Sequence, residues 1–333
     1  MHIRADPPAP VGIVVSNIGT PQAPTTLAVR RYLREFLSDP RVVEAPRLLW
    51  WLVLNLVVLR TRPRHSARLY RKIWAADGSP LLLTTERIAG RLGDLLSKLG
   101  GREIAVAVGM RYGVPSITTA LEQLHASGCQ RMLVVPLYPQ YSASTSGSTF
   151  DAVAATLRQW RRVPALRVVT DYHDHTGYIR ALAASVDELW RRDGRGDRLL
   201  LSFHSLPRRY CEAGDPYPQQ CETTARLLAG ELGISPDQWL LSYQSRFGRQ
   251  EWIRPSTTEA IVSLAQGGCS VDVLCPGFAV DCLETLEEVA ITDRKLYLAH
   301  GGRRFRYIPA LNDRDVHIEA LRELAIANLG GWL

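Results

Sequence analysis

The sequence predicts an α/β protein of two similar Rossmann-like halves, each a four-stranded parallel sheet flanked by helices, with a cleft between them. Three observations carry this. Short apolar runs alternate with amphipathic helical stretches along the chain, and four such runs fall on each side of about residue 172. The runs also lead into polar loops rich in glycine, serine or proline, at the strand ends where open α/β sheets gather their ligands. The halves are therefore expected at 1–172 and 173–333, with the last helix packing back on the first half.

In the first half, Val11–Ser16, Ile104–Gly109, Met132–Leu137 and Leu166–Thr170 are continuous enough in apolar residues to read as buried strands. Leu27–Leu37, Leu82–Leu99, Ser116–Ala126 and Thr149–Trp160 repeat apolar residues at helical spacing. The second half supplies strands at Leu199–Phe203, Trp239–Tyr243, Val271–Cys275 and Phe305–Ile308. Its helices are Gly177–Trp190, Cys221–Leu232, Thr257–Gln266, Leu283–Val289 and His317–Leu329.

One apolar stretch, Leu48–Leu59, fits neither pattern. It falls short of the ~20 residues a membrane-spanning helix needs. Burial within the protein and an exposed lip facing lipid or a flat apolar ligand are both open. Trp50 and Trp51, with Arg47 and Arg60 on either side, suit an interface.

With 333 residues and 46% hydrophobic content, the chain can bury a full core. The net charge is +7, and only Lys72, Lys98 and Lys295 among the 40 basic residues are lysines. Arginine forks suit carboxylates, hence an acidic substrate. The arginines are scattered without interleaved aromatics, which argues against nucleic acid. Neither a G-x-G-x-x-G fingerprint nor a P-loop is present, so nucleotide binding has little support. The six cysteines form no C-x-x-C pair and no zinc spacing, and Met1–Pro10 is polar and proline-rich rather than a signal segment. Reduced thiols in the cytoplasm are expected.

The chemistry concentrates in two loops. Ser202–Pro207 follows a strand and offers His204, an imidazole whose ordinary pKa lies near neutrality. Cys275–Glu288 also leaves a strand and puts carboxylates into the first turns of a helix. Glu284 and Glu288 are four apart and would share a helical face, forming with Asp281 an acidic track for protons or cations. The same residues would equally serve as a capping signature, with Asp281 at the N-cap. Glu287 should point away into solvent. His173 and His175 have a spacing that could hold a metal but read better as a polar turn. His2 belongs to the N-terminal tail, and His65, His125, His300 and His317 read as surface residues.

Six loops in this order, at Asn17–Pro21, Met110–Gly113, Tyr138–Ser148, His204–Pro207, Gln244–Gly248 and from Cys275, closely resemble ferrochelatase, which inserts ferrous iron into a porphyrin. Phe36–Val42, Gly78–Leu81 and Gly214–Tyr217 add to the resemblance, which runs from Val11 to about Asn312; Tyr307–Asn312 looks like the proteobacterial branch. The resemblance implies a chelatase-like fold with a porphyrin cleft between its domains. It makes His204 and Glu284 the pair that handles metal and protons, His204 as iron ligand or as proton acceptor. Glu288 would join them in catalysis. Ile18, Arg111, Tyr112 and Tyr243 would line the macrocycle, and Tyr138–Ser148, with Tyr141, would form one wall. The implied reaction takes Fe²⁺ and protoporphyrin IX to protohaem with release of two protons. A coproporphyrin III ferrochelatase and a non-catalytic tetrapyrrole or metal carrier are the alternatives. Arg60, Arg62 or Arg64 would reach the propionates, or the run Arg60–Arg64 would equally be a solvated loop.

Two departures from the family matter. Position 282 is cysteine where animal members carry histidine, and the chain ends at Leu333 without a cysteine-bearing extension. No permanently bound cofactor and no iron–sulfur cluster are therefore expected. The expected location is cytoplasmic, with peripheral contact at the inner membrane left open by the lip.

Overall fold

The computed structural model describes residues 9–97, 102–246, 248 and 250–333. His2, the end of the helix expected to reach Leu99, and Phe247 lie outside the described residues.

The first sheet comprises β1 (Val11–Gly19), β2 (Ile104–Tyr112), β3 (Arg131–Pro136) and β4 (Ala165–Val168) in the order β2-β1-β3-β4, all parallel. The second comprises β5 (Arg198–His204), β6 (Trp239–Gln244), β7 (Ser270–Leu274) and β8 (Arg304–Ile308) in the order β6-β5-β7-β8, again all parallel. Both are the same doubly wound arrangement. In each, the strand order reverses beside the first strand, opening a crevice at the carboxyl ends of β1 and β3, and of β5 and β7.

The first half adds α1 (Thr26–Ser38), α2 (Arg47–Val53), α3 (Leu59–Ile73), α4 (Pro80–Leu96), α5 (Ile117–Ala126) and α6 (Ser148–Leu157). The rest of the chain adds α7 (Thr176–Asp193), α8 (Arg208–Glu212), α9 (Tyr217–Glu231), α10 (Thr257–Gln266), α11 (Arg294–Ala299) and α12 (Asp315–Leu329). Three π-helical segments, at Leu54–Val58, Ala143–Gly147 and Glu284–Asp293, interrupt them.

Successive side chains of a strand point to opposite faces, and the core divides accordingly. Ile13, Val15, Leu133, Leu199, Leu201 and Phe203 join one core shared by both sheets, packed with α4, α7, α9 and α12. Val14, Met132 and Val134 pack outward on α5 and α6, and Leu200, Val271 and Val273 outward on α10 and α11. α12 contacts both α7 and α4, so the end of the chain spans the two sheets. His317, read as a surface residue, is fully buried on α12, because that helix is covered on both sides.

The segment 47–73 is helical throughout, and of the two readings open for its apolar stretch the exposed lip is the one that forms. Arg60–Arg64 is not a loop: Pro63 lies inside α3, directly after the π-turn at Leu54–Val58. Burial of the apolar stretch is also not what forms. Leu48 is 76% exposed, Trp51 59% and Val57 55%, while Leu54 and Leu59 anchor the helix inward.

Candidate active site

A cavity of about 580 Å³ opens between the sheets and the lip helices, a volume suited to one large organic ligand. Its floor comes from the loops after β1, β3, β5 and β7, the crevices that the strand order creates. Its other wall comes from α1 and α3, which contribute Tyr32, Leu33, Phe36, Leu69, Tyr70 and Ile73. Gly19 ends β1 at φ +99°, and a Cβ there would lie 1.7 Å from the Tyr112 carbonyl oxygen, so the close approach of β1 and β2 at the floor requires glycine.

His204 is the last residue of β5 and lines the cavity. Its Nδ1 lies 2.6 Å from the Ser205 carbonyl oxygen. A carbonyl only accepts, so Nδ1 is a donor, and in the neutral ring Nε2 is the nitrogen with the free lone pair. Gln244, beside His204 in the β5–β6 register, accepts from the Ser202 hydroxyl (2.6 Å) and donates to the Glu284 carbonyl oxygen (3.0 Å). The strand bearing the histidine is thereby tied to the helix bearing the glutamates.

That helix is π-helical over Glu284–Asp293. Glu284 lines the cavity, and its charge, with burial, raises the pKa values of Tyr32, Tyr70 and the Cys282 thiol. Glu288 also lines the cavity and accepts from the Ser245 amide (2.7 Å) and hydroxyl. Ser245 adopts φ +65°, left-handed backbone that a non-glycine residue seldom takes. Burial pushes the Glu288 carboxyl above its ordinary range, opposed by the Ser245 hydroxyl and by His204.

Two expectations for this helix need correction. Asp281 is not part of a track. Its carboxylate is taken up by Tyr307 (2.6 Å), Asn312 (2.7 Å) and Thr285 (2.9 Å), which fixes the start of the helix. Glu287 is not solvated but buried, with Lys72 Nζ at 2.6 Å and Thr292 at its carboxylate. The expectation rested on an α-helical register, which this segment does not follow.

Of the five residues expected at the macrocycle, Ile18 lines the cavity, and Arg111, Tyr112, Tyr141 and Tyr243 do not. Arg111 and Tyr112 stand behind the wall. Both hydrogen-bond to the buried Asp39 carboxylate, and Arg111 Nε also reaches the Ser148 hydroxyl at 2.6 Å. Burial opposes ionisation of Asp39, but the Ser148 hydroxyl, the Arg41 amide, Tyr112 and Arg111 together hold its pKa below the ordinary value. Tyr112 then packs edge-on against Phe36, a wall residue. Tyr141 is held through its amide by Gln220 (2.6 Å), and Tyr243 packs on Phe203 in the core. Arg62 lines the cavity where Arg60 and Arg64 do not, and Arg209 of α8 lines it as well. The α1 and α3 wall went unrecognised in the sequence, although Tyr32 and Phe36 stand four apart on a strongly amphipathic helix.

Among the described residues, the one three-ligand set with its ligand atoms within 4.8 Å of one another is Asp171, His173 and Asp174, outside the cavity. His173 Nδ1 is 2.8 Å from Asp171 in the turn between β4 and α7. His204 and the glutamates thus converge on one space without closing a cage.

Two doubly wound parallel sheets, a cavity between them, and a histidine facing carboxylates define a chelatase. The fold agrees with solved structures of that class. SirB from Bacillus subtilis with Fe³⁺ is similar at TM-score 0.58 and 10% identity, over 97% of each chain. CbiX, described as the terminal enzyme of sirohaem biosynthesis in denitrifying bacteria, is similar at TM-score 0.52 and 15% identity, over 96% of this chain and 100% of that one. The family model for ferrochelatase matches residues 10–329. The chain is 56% identical over 330 residues to the ferrochelatase of Nitrosococcus oceani, covering 99% of this chain and 89% of that one. It is 54% identical over 322 residues to that of Methylococcus capsulatus, covering 96% of each. The chain belongs to the ferrochelatase family, and it is a metal-chelating lyase.

Proposed function

We propose that the cavity holds protoporphyrin IX between the lip helices and the strand ends while Fe²⁺ enters its centre, giving protohaem and two protons. The reading is supported most by one observation: the His204 Nε2 lone pair and the Glu284 and Glu288 carboxylates meet in a single apolar-walled cavity.

Metal insertion makes three demands: iron must shed water, the pyrrole lone pairs must turn toward it, and two pyrrole N–H protons must leave. Imidazole nitrogen and carboxylate oxygen both suit Fe²⁺. An incomplete ligand set favours transfer, because a closed cage would retain the metal. Glu284 is the iron-side oxygen ligand in this scheme. His204 serves as ligand or as proton acceptor through the same Nε2, and so does one at a time. Glu288, whose proton affinity burial raises, takes protons onward. Arg62 and Arg209 are the basic groups at hand for the propionates.

The exposed apolar residues of α2 and the π-turn support peripheral contact with a membrane surface at a cytoplasmic location. None of the described helices is long and apolar enough to cross a membrane. We further propose that the protein carries no resident iron–sulfur cluster, a reading supported by the spread of its six cysteines over positions 129–282 with no C-x-x-C pair.

The test is His204→Ala, assayed anaerobically for Fe²⁺ insertion, with porphyrin binding followed by absorbance. Turnover should fall by roughly 10²–10⁴-fold with binding retained. Retention of more than about a tenth of the wild-type rate would overturn the role given to this histidine.

A further inference from the structure

The lip joins α1 through residues 39–46, and this connection is tied to both halves of the molecule. Its start belongs to the first half. Asp39 accepts from the Ser148 hydroxyl (2.6 Å) and the Tyr112 hydroxyl (2.8 Å), and Arg41 Nη2 donates to Asp151 (2.9 Å). From Val42 onward the partners change. The Tyr210 hydroxyl accepts from the Glu44 amide (3.0 Å) and donates to the Val42 carbonyl oxygen (3.3 Å). Arg209 Nη2 donates to the Glu44 carbonyl oxygen (2.8 Å). Two adjacent side chains of α8, in the second half, thus take three backbone groups of the connection.

The two sides of this contact differ in firmness. α8 starts from a fixed base, where the Ile253 amide donates to the Leu206 carbonyl oxygen and the Arg208 amide to that of Glu251, both at 3.0 Å. The Tyr210 ring is buried, with the Arg209 guanidinium 5.1 Å from its centroid. Across the contact, Val42 and Val43 are half-buried and Glu44 is exposed. Water can replace the Tyr210 hydroxyl there, so parting the contact strands no buried polar group.

The contact also lies at the cavity. Val42, Val43 and Ala45 line it from the lip side, and Arg209 and Tyr210 line it from α8. A porphyrin is a rigid plane, so a wall must give way for it to pass. The lip segment meets the second half again at Lys72 and Glu287, but parting that pair would leave a buried carboxylate without its cation. The uncharged, part-exposed contact at α8 is the cheaper one to open.

We propose that Tyr210, with Arg209, latches residues 42–44 across the cavity, and that porphyrin entry and haem exit require this latch to open. Tyr210 is then a positioning residue that sets exchange rates. The inference rests on the reading that the cavity holds the porphyrin, and adds which part of its wall moves. A latch is a barrier shared by entry and exit, so weakening it speeds both and leaves affinity nearly unchanged. Loss of a direct contact with the ligand speeds release alone.

The experiment compares the wild-type protein with Tyr210→Phe, which keeps the ring and removes the hydroxyl, with folding checked by thermal unfolding. Association of protoporphyrin IX is followed by stopped-flow fluorescence, and release by its transfer to excess detergent micelles. Both rates should rise about fivefold or more in Tyr210→Phe, with Kd within about threefold of wild type. Unchanged rates in the folded variant, or faster release with association unmoved, would overturn the latch. Absence of porphyrin binding by the wild-type protein would instead overturn the reading of the cavity, and the latch with it. Should Tyr210→Phe fail to fold, the association rate of Arg209→Ala decides. Loss of a cation alone would slow the approach of a dianionic porphyrin. Faster association therefore supports the latch, and an unchanged or slower rate overturns it.

Discussion

Lys72 on α3 and Glu287 on the π-helix form an ion pair of 2.6 Å that joins the lip wall of the cavity to its catalytic wall. The pair is lopsided, for the Glu287 side chain is 5% exposed and that of Lys72 is 44% exposed. It holds two segments 215 residues apart in sequence, and Glu287 shares its helix with Glu284 and Glu288. A shift of α3 against the π-helix would change the width of the cavity.

Lys72→Met should leave the Glu287 carboxylate buried with only Thr292 as a partner. The expected cost is about 1–3 kcal/mol, since the lysine end is part-exposed and water can enter. Urea denaturation measures it. A loss indistinguishable from zero would mean that the pair does not clamp the two walls.

Glu284→Gln keeps shape and removes charge at the cavity, whereas Glu287→Gln removes charge from the clamp. The first should reduce kcat by roughly 10²-fold or more with little change in thermal midpoint. The second should lower the midpoint and leave most of the turnover. Equal losses of kcat in the two variants would show that the carboxylates matter only for holding the helix.

His317 is buried, with Nδ1 2.6 Å from the Asn312 carbonyl oxygen, and burial pushes its pKa down to about 4. The unfolded chain binds this proton at an ordinary pKa near 6.5. The folded state therefore gains stability that is complete above pH 6.5 and lost as pH falls toward 4, about 3 kcal/mol at full extent. His317→Met should be less stable at neutral pH, having lost a hydrogen bond, yet flatter in stability between pH 6.5 and 4. A slope matching wild type over that interval would contradict the assignment.

Leu48, Trp51, Leu52 and Val57 are exposed together on α2 and the π-turn, with arginines following on α3. The protein should co-sediment with vesicles containing anionic lipid, with a blue shift in tryptophan emission. The double variant Leu48→Ser, Trp51→Ser should bind at least tenfold more weakly, given about 1.5–3 kcal/mol for each large apolar side chain buried. Unchanged partitioning would rule the lip out as a lipid contact.

The sheets were legible because strands covered on both faces leave nearly unbroken apolar runs, as Leu199–Leu201 and Met132–Val135 do. His204 was legible because a polar loop interrupts such a run at a strand end. The π-helix was not. Within ten residues its apolar and acidic positions fit an α register nearly as well, which sent Glu287 to solvent. The alternating arginines of Arg60–Arg64 suit a solvated loop as well as an exposed helical face, and Pro63 sits inside α3 all the same. Arg111 and Tyr112 illustrate a different limit: resemblance put them against the macrocycle, but only the fold brings Asp39 to within their reach. His317 depended on what covers α12, which no local pattern records.

The preferred porphyrin should be protoporphyrin IX rather than coproporphyrin III. Coproporphyrin carries four propionates, and protoporphyrin carries two, with apolar vinyls at the other positions. Leu33, Phe36, Leu37, Val42, Val43 and Trp50 make one side of the cavity apolar, and the arginines lining it are Arg62 and Arg209. Arg209 already donates to the Glu44 carbonyl oxygen at 2.8 Å, so its fork is held in place. Vinyl groups against the apolar wall would gain from burial. A propionate there would lose its water without a cationic partner, at a cost of several kcal/mol. A cost of about 3 kcal/mol corresponds to a preference of roughly 10²-fold in kcat/KM. The measurement is kcat/KM for both porphyrins in identical detergent and salt, because the less charged macrocycle aggregates. Arg62→Leu should weaken protoporphyrin use while leaving the preference in the same direction. A higher kcat/KM for coproporphyrin in the wild-type protein would mean that the apolar wall does not face the ring edge, and would move the enzyme to the coproporphyrin branch.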